Sequence, residues 1–135
     1  MIKEAVQYFP VISLTGPRQS GKTTLLKHLF PEFKQYSMKD LHIRAFAEND
    51  PVAFLTQYPE GMFIDEVQKA PALLEYIQGI VDNDPKRRFL LTGSSNLELL
   101  QRMTESLPGR AGVYELLPMS LSELQTEKQL PVNQQ

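Results

Sequence analysis

Cysteine is absent from this chain of 135 residues. Its absence excludes disulfide staples and thiolate-held metal, and it suits a reducing compartment. No stretch approaches the roughly 20 consecutive apolar residues that a membrane-spanning helix needs. The opening IKEAVQYF also lacks the unbroken apolar core of a secretory signal. A surplus of one charge is missing too. Fourteen Lys and Arg against 16 Asp and Glu leave a net charge of −2, so no basic footprint for nucleic acid is indicated. Repeats, low-complexity tracts and internal linkers are lacking. The length fits one domain with a real core and is too short for two. With 41% apolar and 22% charged residues, the composition is that of a folded globule. A soluble, cytoplasmic protein is the expectation.

What is present is an alternation of short apolar runs and amphipathic segments. Ile2, Val6 and Phe9 recur at helical spacing before Pro10, which predicts a short N-terminal helix over 2–9. Val11 to Thr15 then reads as a strand buried on both faces. Leu25, Leu26 and Leu29 give a helix face that Pro31 ends. Phe33 to Met38 is a weaker strand, followed by a helix over Leu41 to Glu48. Asp50 and Pro51 read as the cap and first position of another helix carrying Val52, Phe54 and Leu55 inward. MFI, from Met62, predicts a strand ending at Asp65 and Glu66. From Pro71 a helix is expected to bury Leu73, Leu74, Ile77, Ile80 and Val81.

The later part repeats this pattern. Asn83 to Pro85 predicts a turn, Arg88 to Thr92 a strand, and Gly93 to Asn96 a loop, with Asn96 capping LELLQRM. VYELL, after Pro108 and Gly109, reads as the last strand. Ser120 and Glu123 are spaced as a capping box for a final helix. These boundaries give a core over 1–125 and a polar tail over 126–135. Strands alternating with helices at this spacing predict an α/β fold, a parallel sheet covered by helices on both sides. Ligands of such sheets bind beyond the carboxyl ends of the strands, where the polar signals fall.

The strongest signal is GPRQSGKTT. Gly16, Gly21, Lys22 and Thr23 fit G-x-x-x-x-G-K-[ST] without a mismatch. A loop of this kind wraps phosphate with successive backbone N–H groups, and the helix that follows aims its positive end at the anion. The expected nucleotide-binding residues are therefore Gly16, Pro17, Arg18, Gln19, Ser20, Gly21, Lys22, Thr23 and Thr24. Lys22 would reach the β- and γ-phosphates, and the Thr23 hydroxyl would ligate Mg²⁺. The competing reading is an ordinary turn between strand and helix.

Three further candidates follow. In MFIDE, adjacent carboxylates at the end of a buried strand are costly unless a cation compensates them. Asp65 would hold Mg²⁺ and Glu66 would polarise an attacking water; taken alone the motif reads better as a solvated strand terminus, and the preceding P-loop at the expected distance reverses that preference. In TGSSN, Ser94 or Ser95 could lie between the γ-phosphate and that water, although a plain loop with a helix cap fits equally well. Arg110, after Gly109, could supply charge to the transition state in its own subunit or a neighbour's; a surface arginine is the bland alternative. Lys86, Arg87 and Arg88 read as a solvated turn at the opposite edge. His28 and His42 lack metal-ligand partners at useful spacing.

Taken together, GPRQSGKTTLL, MFIDEVQKAPALLEYI, RFLLTGSSNLELL and LPGRAGVYELLPMSLSEL, in this order, resemble the bacterial and archaeal AAA-type P-loop ATPases. The resemblance covers almost the whole chain. It implies a three-layer αβα architecture of about five parallel strands in the order 5-1-4-3-2. It implies the Walker A roles for Lys22 and Thr23, the Walker B pair for Asp65 and Glu66, and the sensor for Ser94 or Ser95. Arg110 falls in that family's Gly-Arg block. Members usually continue into a separate C-terminal domain, and a helical lid with its second sensing arginine has no sequence here.

The expected function is thus a Mg²⁺-dependent ATP-hydrolysing domain, truncated relative to that family and weakly active alone. The alternatives are a nucleotide-binding regulatory or assembly module with little turnover, and, less favoured, a small-molecule kinase. A GTPase is disfavoured because no N-K-x-D segment exists to read guanine. ATP or ADP is the expected ligand, with a homo-oligomer or another protein as the possible macromolecular partner.

Overall fold

Five segments become strands in the computed structural model: β1 (Val11–Thr15), β2 (Lys34–Ser37), β3 (Met62–Asp65), β4 (Phe89–Gly93) and β5 (Ala111–Glu115). The structure describes residues 2–16, 21–58, 61–93, 101, 102, 105 and 109–115, with side chains at all of these except 2, 3, 111 and 113–115. Every neighbouring pair of strands is parallel. From one edge to the other the order is β5-β1-β4-β3-β2, the order 5-1-4-3-2 that the resemblance implies. The expected loop residues 17–20 and 94–96, the helix LELLQRM up to Leu100, and everything after Glu115 lie outside the described residues.

Parallel neighbours require crossovers, and helices supply them. They are α2 (Lys22–Leu29), α3 (Leu41–Asn49), α4 (Pro51–Leu55) and α5 (Leu73–Asn83), while α1 (Ile2–Ala5) precedes β1 and stops short of the expected helix over 2–9, the chain turning at 6–8. Successive strand residues point to opposite faces, and the core divides accordingly. Val11, Met62, Ile64, Phe89 and Leu91 pack with Ala47, Phe54, Leu55, Leu73, Leu74 and Ile77 of α3 to α5. On the other face Ile12, Leu14, Phe63 and Leu90 pack with Ala5, Leu25, Leu26 and Phe30. Each layer is therefore written as alternate residues of the same strands. Every residue of β1, β3 and β4 is buried, as the continuous apolar runs predict for central strands. Gly61 leads into β3 because a Cβ there would lie 2.5 Å from the Phe33 ring.

Local signals place the helix starts. Asp50 caps α4 by accepting from the Ala53 N–H at 3.2 Å, and Asp40 caps α3 through His42 and Ile43. Several expectations need correction. Val52 is 52% exposed while Phe54 and Leu55 are fully buried, because the α4 stripe begins one turn after Pro51. Pro71 and Ala72 form a turn, and α5 begins at Leu73. An unforeseen 3₁₀ segment, Val67–Lys69, follows β3.

The basic cluster is not a solvated turn. Lys86 is exposed, but Arg87 is buried; its guanidinium lies 5.1 Å from the centroid of the Phe89 ring and donates to the Leu55 carbonyl. Arg88 donates to Val6 O at 2.6 Å and to Pro85 O at 2.6 Å. The apolar stems of these arginines cover core surface while the heads bond carbonyls, which a charge count cannot reveal.

Two α4 substitutions separate core from cap. Phe54 meets Tyr36 and Phe46 edge-on at 5.4 and 5.6 Å. Phe54→Ala should destabilise the fold by about 3–5 kcal/mol, and Asp50→Ala by about 1 kcal/mol. Urea unfolding midpoints check the ranking, and equal losses would contradict this assignment of the core.

Candidate functional site

The carboxyl ends of β1, β3 and β4 meet at one edge of the sheet. Thr15 is in register with Gly93, and the Gly16 N–H extends that ladder by donating to Gly93 O at 3.2 Å. The chain re-emerges at Gly21, whose φ of 89° is a left-handed conformation that glycine adopts without a Cβ clash. α2 then starts directly at Lys22. Lys22 is buried, and its Nζ donates to Gly16 O at 2.9 Å, closing the neck of the loop.

Asp65 closes the opposite side. It ends β3, is 5% exposed, and its Oδ1 accepts from Thr23 Oγ1 at 2.8 Å and from Thr92 Oγ1. Thr92 Oγ1 in turn accepts from the Glu66 N–H at 3.1 Å. A buried carboxylate is tolerable when such donors replace water. One oxygen therefore ties the first turn of α2 to the ends of β3 and β4. Glu66 follows at φ 59° and ψ 50°, an uncommon conformation for a residue other than glycine. This turns the chain out of β3 into the 3₁₀ segment, which the fully buried Val67 fixes to the core. Gln68 Nε2 donates to Glu66 Oε1 at 2.6 Å.

This donor set fits the expected ligands. A hydroxyl and a carboxylate in contact are hard oxygen donors of the kind Mg²⁺ prefers. An ammonium held against the loop neck suits phosphate. Thr23 and Asp65 are the residues that could share a cation, and Lys22 the residue that could meet an anion.

Of the residues singled out from the sequence, Gly16, Gly21, Lys22, Thr23, Asp65 and Glu66 come together here. Thr24 is exposed one position further along α2. Pro17, Arg18, Gln19, Ser20, Ser94 and Ser95 lie outside the described residues. Arg110 is elsewhere, at the opposite end of the sheet. Its carbonyl accepts from Val11 N at 3.1 Å, at the amino end of β1. That is about 13 Å, four strand residues, from the cradle edge, farther than an arginine side chain spans. The guanidinium instead pairs with Asp82 through bonds of 2.6 and 3.0 Å. This contact holds the Asp82 carboxyl below its ordinary range and raises the guanidinium above its own. Among the described residues, no group of three or more His, Asp or Glu side chains is placed to hold a metal ion.

Thr92 and Gln68 are the residues that sequence reasoning missed. The signal for Thr92 was a hydroxyl ending an apolar strand beside the acidic one. For Gln68 it was an amide two positions past Glu66. Thr92→Val keeps the shape of the side chain but leaves the Glu66 N–H without this acceptor and Asp65 with one donor fewer. It should destabilise the fold by about 1–3 kcal/mol, and Thr92→Ser by less. Urea unfolding of the two variants checks this, and a larger loss for Thr92→Ser would assign the role to the methyl group.

The profile of the family described as AAA domain matches residues 8–125. Uncharacterised proteins of Mycobacterium tuberculosis and Mycobacterium bovis are each 31% identical over 125 residues, covering 91% of this chain and 28% of their own length. The chain thus spans just over a quarter of those relatives. Among solved structures, the DnaC helicase loader superposes with a TM-score of 0.50 at 14% identity, over 86% of this chain and 85% of that one. RuvB of Thermotoga maritima does so with a TM-score of 0.54 at 22% identity, over 85% and 39%. These two likenesses concern the fold alone. With a profile match over most of its length and a parallel 5-1-4-3-2 sheet carrying the loop and acid at one edge, the chain belongs to the AAA domain family, as an AAA-type P-loop domain.

Proposed function

We propose that this chain binds ATP with Mg²⁺ at the carboxyl edge of its sheet and hydrolyses it to ADP and phosphate. The observation that supports this most is the Thr23–Asp65 hydrogen bond beside the Lys22-closed loop. It joins a phosphate cradle to a cation-holding pair. Mg²⁺, when bound, would offset charge on the phosphates. Residues 16–24 wrap the phosphates, Lys22 meets the β- and γ-oxygens, and Thr23 and Asp65 hold the cation. Glu66 orients a water and draws its proton as the oxygen attacks phosphorus. Ser94 or Ser95, one or two residues beyond β4, would sense the γ-phosphate. Adenine as the base is favoured by the resemblance and by the missing guanine motif.

Arg110 supports a second reading. Because it sits at the far edge with Asp82, any transition-state charge from it must enter a neighbour's site. A lone copy would then behave as a nucleotide-binding module with little turnover, and a homo-oligomer would be the active form. The kinase reading loses ground, since Arg87 and Arg88 are bonded at the edge away from the cradle. The described residues contain no helix long and apolar enough to cross a membrane. A cytoplasmic location is the reading that the cysteine-free composition suits.

ATP titration and phosphate release, with and without Mg²⁺, test the proposal. Lys22→Ala should weaken binding about tenfold or more, equivalent to about 1.4 kcal/mol or more. Glu66→Gln should bind within about twofold of wild type and lose about 100-fold or more in turnover. Equal binding by wild type and Lys22→Ala would contradict the cradle. Binding without release by wild type, at all protein concentrations, would favour the switch module.

A further inference from the structure

Glu66 is held by its backbone and by its side chain. Its N–H donates to Thr92 Oγ1 at 3.1 Å, and its carbonyl accepts from Lys69 N at 3.1 Å. Its φ of 59° commits the residue to a single direction out of β3. A glutamate so fixed at its backbone still has a flexible side chain, and a general base works only when aimed at the proton it takes. The 2.6 Å bond from Gln68 Nε2 to Oε1 supplies that aim. The donor is itself well anchored. Gln68 lies in the 3₁₀ segment between the fully buried Val67 and the buried Ala70, whose N–H donates to Val67 O at 2.9 Å. An amide also suits the task chemically. It orients the carboxylate through one oxygen while adding no charge, whereas a lysine or arginine there would offset the negative charge that draws the proton.

Resting on the proposed hydrolysis, we infer that Gln68 is a positioning residue for the reaction, fixing the Glu66 carboxylate through Oε1 so that Oε2 meets the attacking water. Gln68 acts on turnover through Glu66 and contributes nothing to holding nucleotide.

The test combines a double-mutant cycle with a direct view of the contact. Gln68→Met preserves length and bulk but removes the donor. Single-turnover ATP hydrolysis should slow about tenfold or more, with ATP affinity within about twofold and the thermal midpoint little changed. In a Glu66→Gln background the same substitution should have no further effect, since its route runs through Glu66. In nucleotide-free wild type, the Gln68 side-chain amide resonance should be displaced from those of other glutamines and should return toward them in Glu66→Ala. That reading holds even if Gln68→Met folds poorly. Unchanged turnover by Gln68→Met beside an inactive Glu66→Gln would overturn the inference alone. So would an unshifted amide, or an equal loss in both backgrounds. If wild type binds ATP and hydrolyses none, the proposed hydrolysis itself fails and takes the positioning role with it.

Discussion

The two hydroxyl bonds to Asp65 Oδ1 are the constraint on which the site depends. Thr23 opens α2, Asp65 ends β3 and Thr92 lies near the end of β4, so one oxygen sets the spacing of three separate elements. Distance along the chain is large, 42 residues to Thr23 and 27 to Thr92, yet the parallel order places all three at one edge. The same buried carboxylate that would be a liability in an apolar core becomes the meeting point of the first turn of α2 and the ends of β3 and β4. Stability and chemistry are coupled here, because a hydroxyl that fixes Asp65 also fixes the backbone of Glu66 through Thr92.

The remainder of the fold serves that edge. Central strands buried on both faces leave little freedom for β1, β3 and β4 to slide. Helices on the two sides use alternate residues of the same strands, so either layer fixes the register for the other. At the opposite edge, Arg87, Arg88 and Arg110 are engaged with carbonyls, an aromatic ring and Asp82. Positive charge is thus used structurally away from the loop.

Much of this was legible in the residues. VISLT, MFID and FLLTG are apolar enough to announce central strands, and the intervening helices announce parallel pairing. The strand order came from the resemblance, since periodicity cannot rank neighbours. Gly16, Gly21, Lys22 and Thr23 declared themselves by spacing, and Asp65 with Glu66 by carboxylates at a strand end. Thr92 and Gln68 did not, because their significance lies in partners 27 and two positions away, and polar residues at strand ends are ordinary. The placement of Arg110 was hidden for a related reason. Its sequence neighbourhood is at the start of β5, but the relevant end of a parallel sheet is the other one. Arg87 shows that a charged run can hide a buried side chain when its stem packs on a ring.

The most direct measurement is paramagnetic broadening by Mn²⁺, used in place of Mg²⁺ with a nonhydrolysable ATP analogue, on the assigned backbone amides. The account predicts that Thr23, Asp65 and Glu66 broaden first and that Asp82 and Arg110 stay sharp. Broadening centred on the far edge, or none at nucleotide-saturating concentrations, would contradict it.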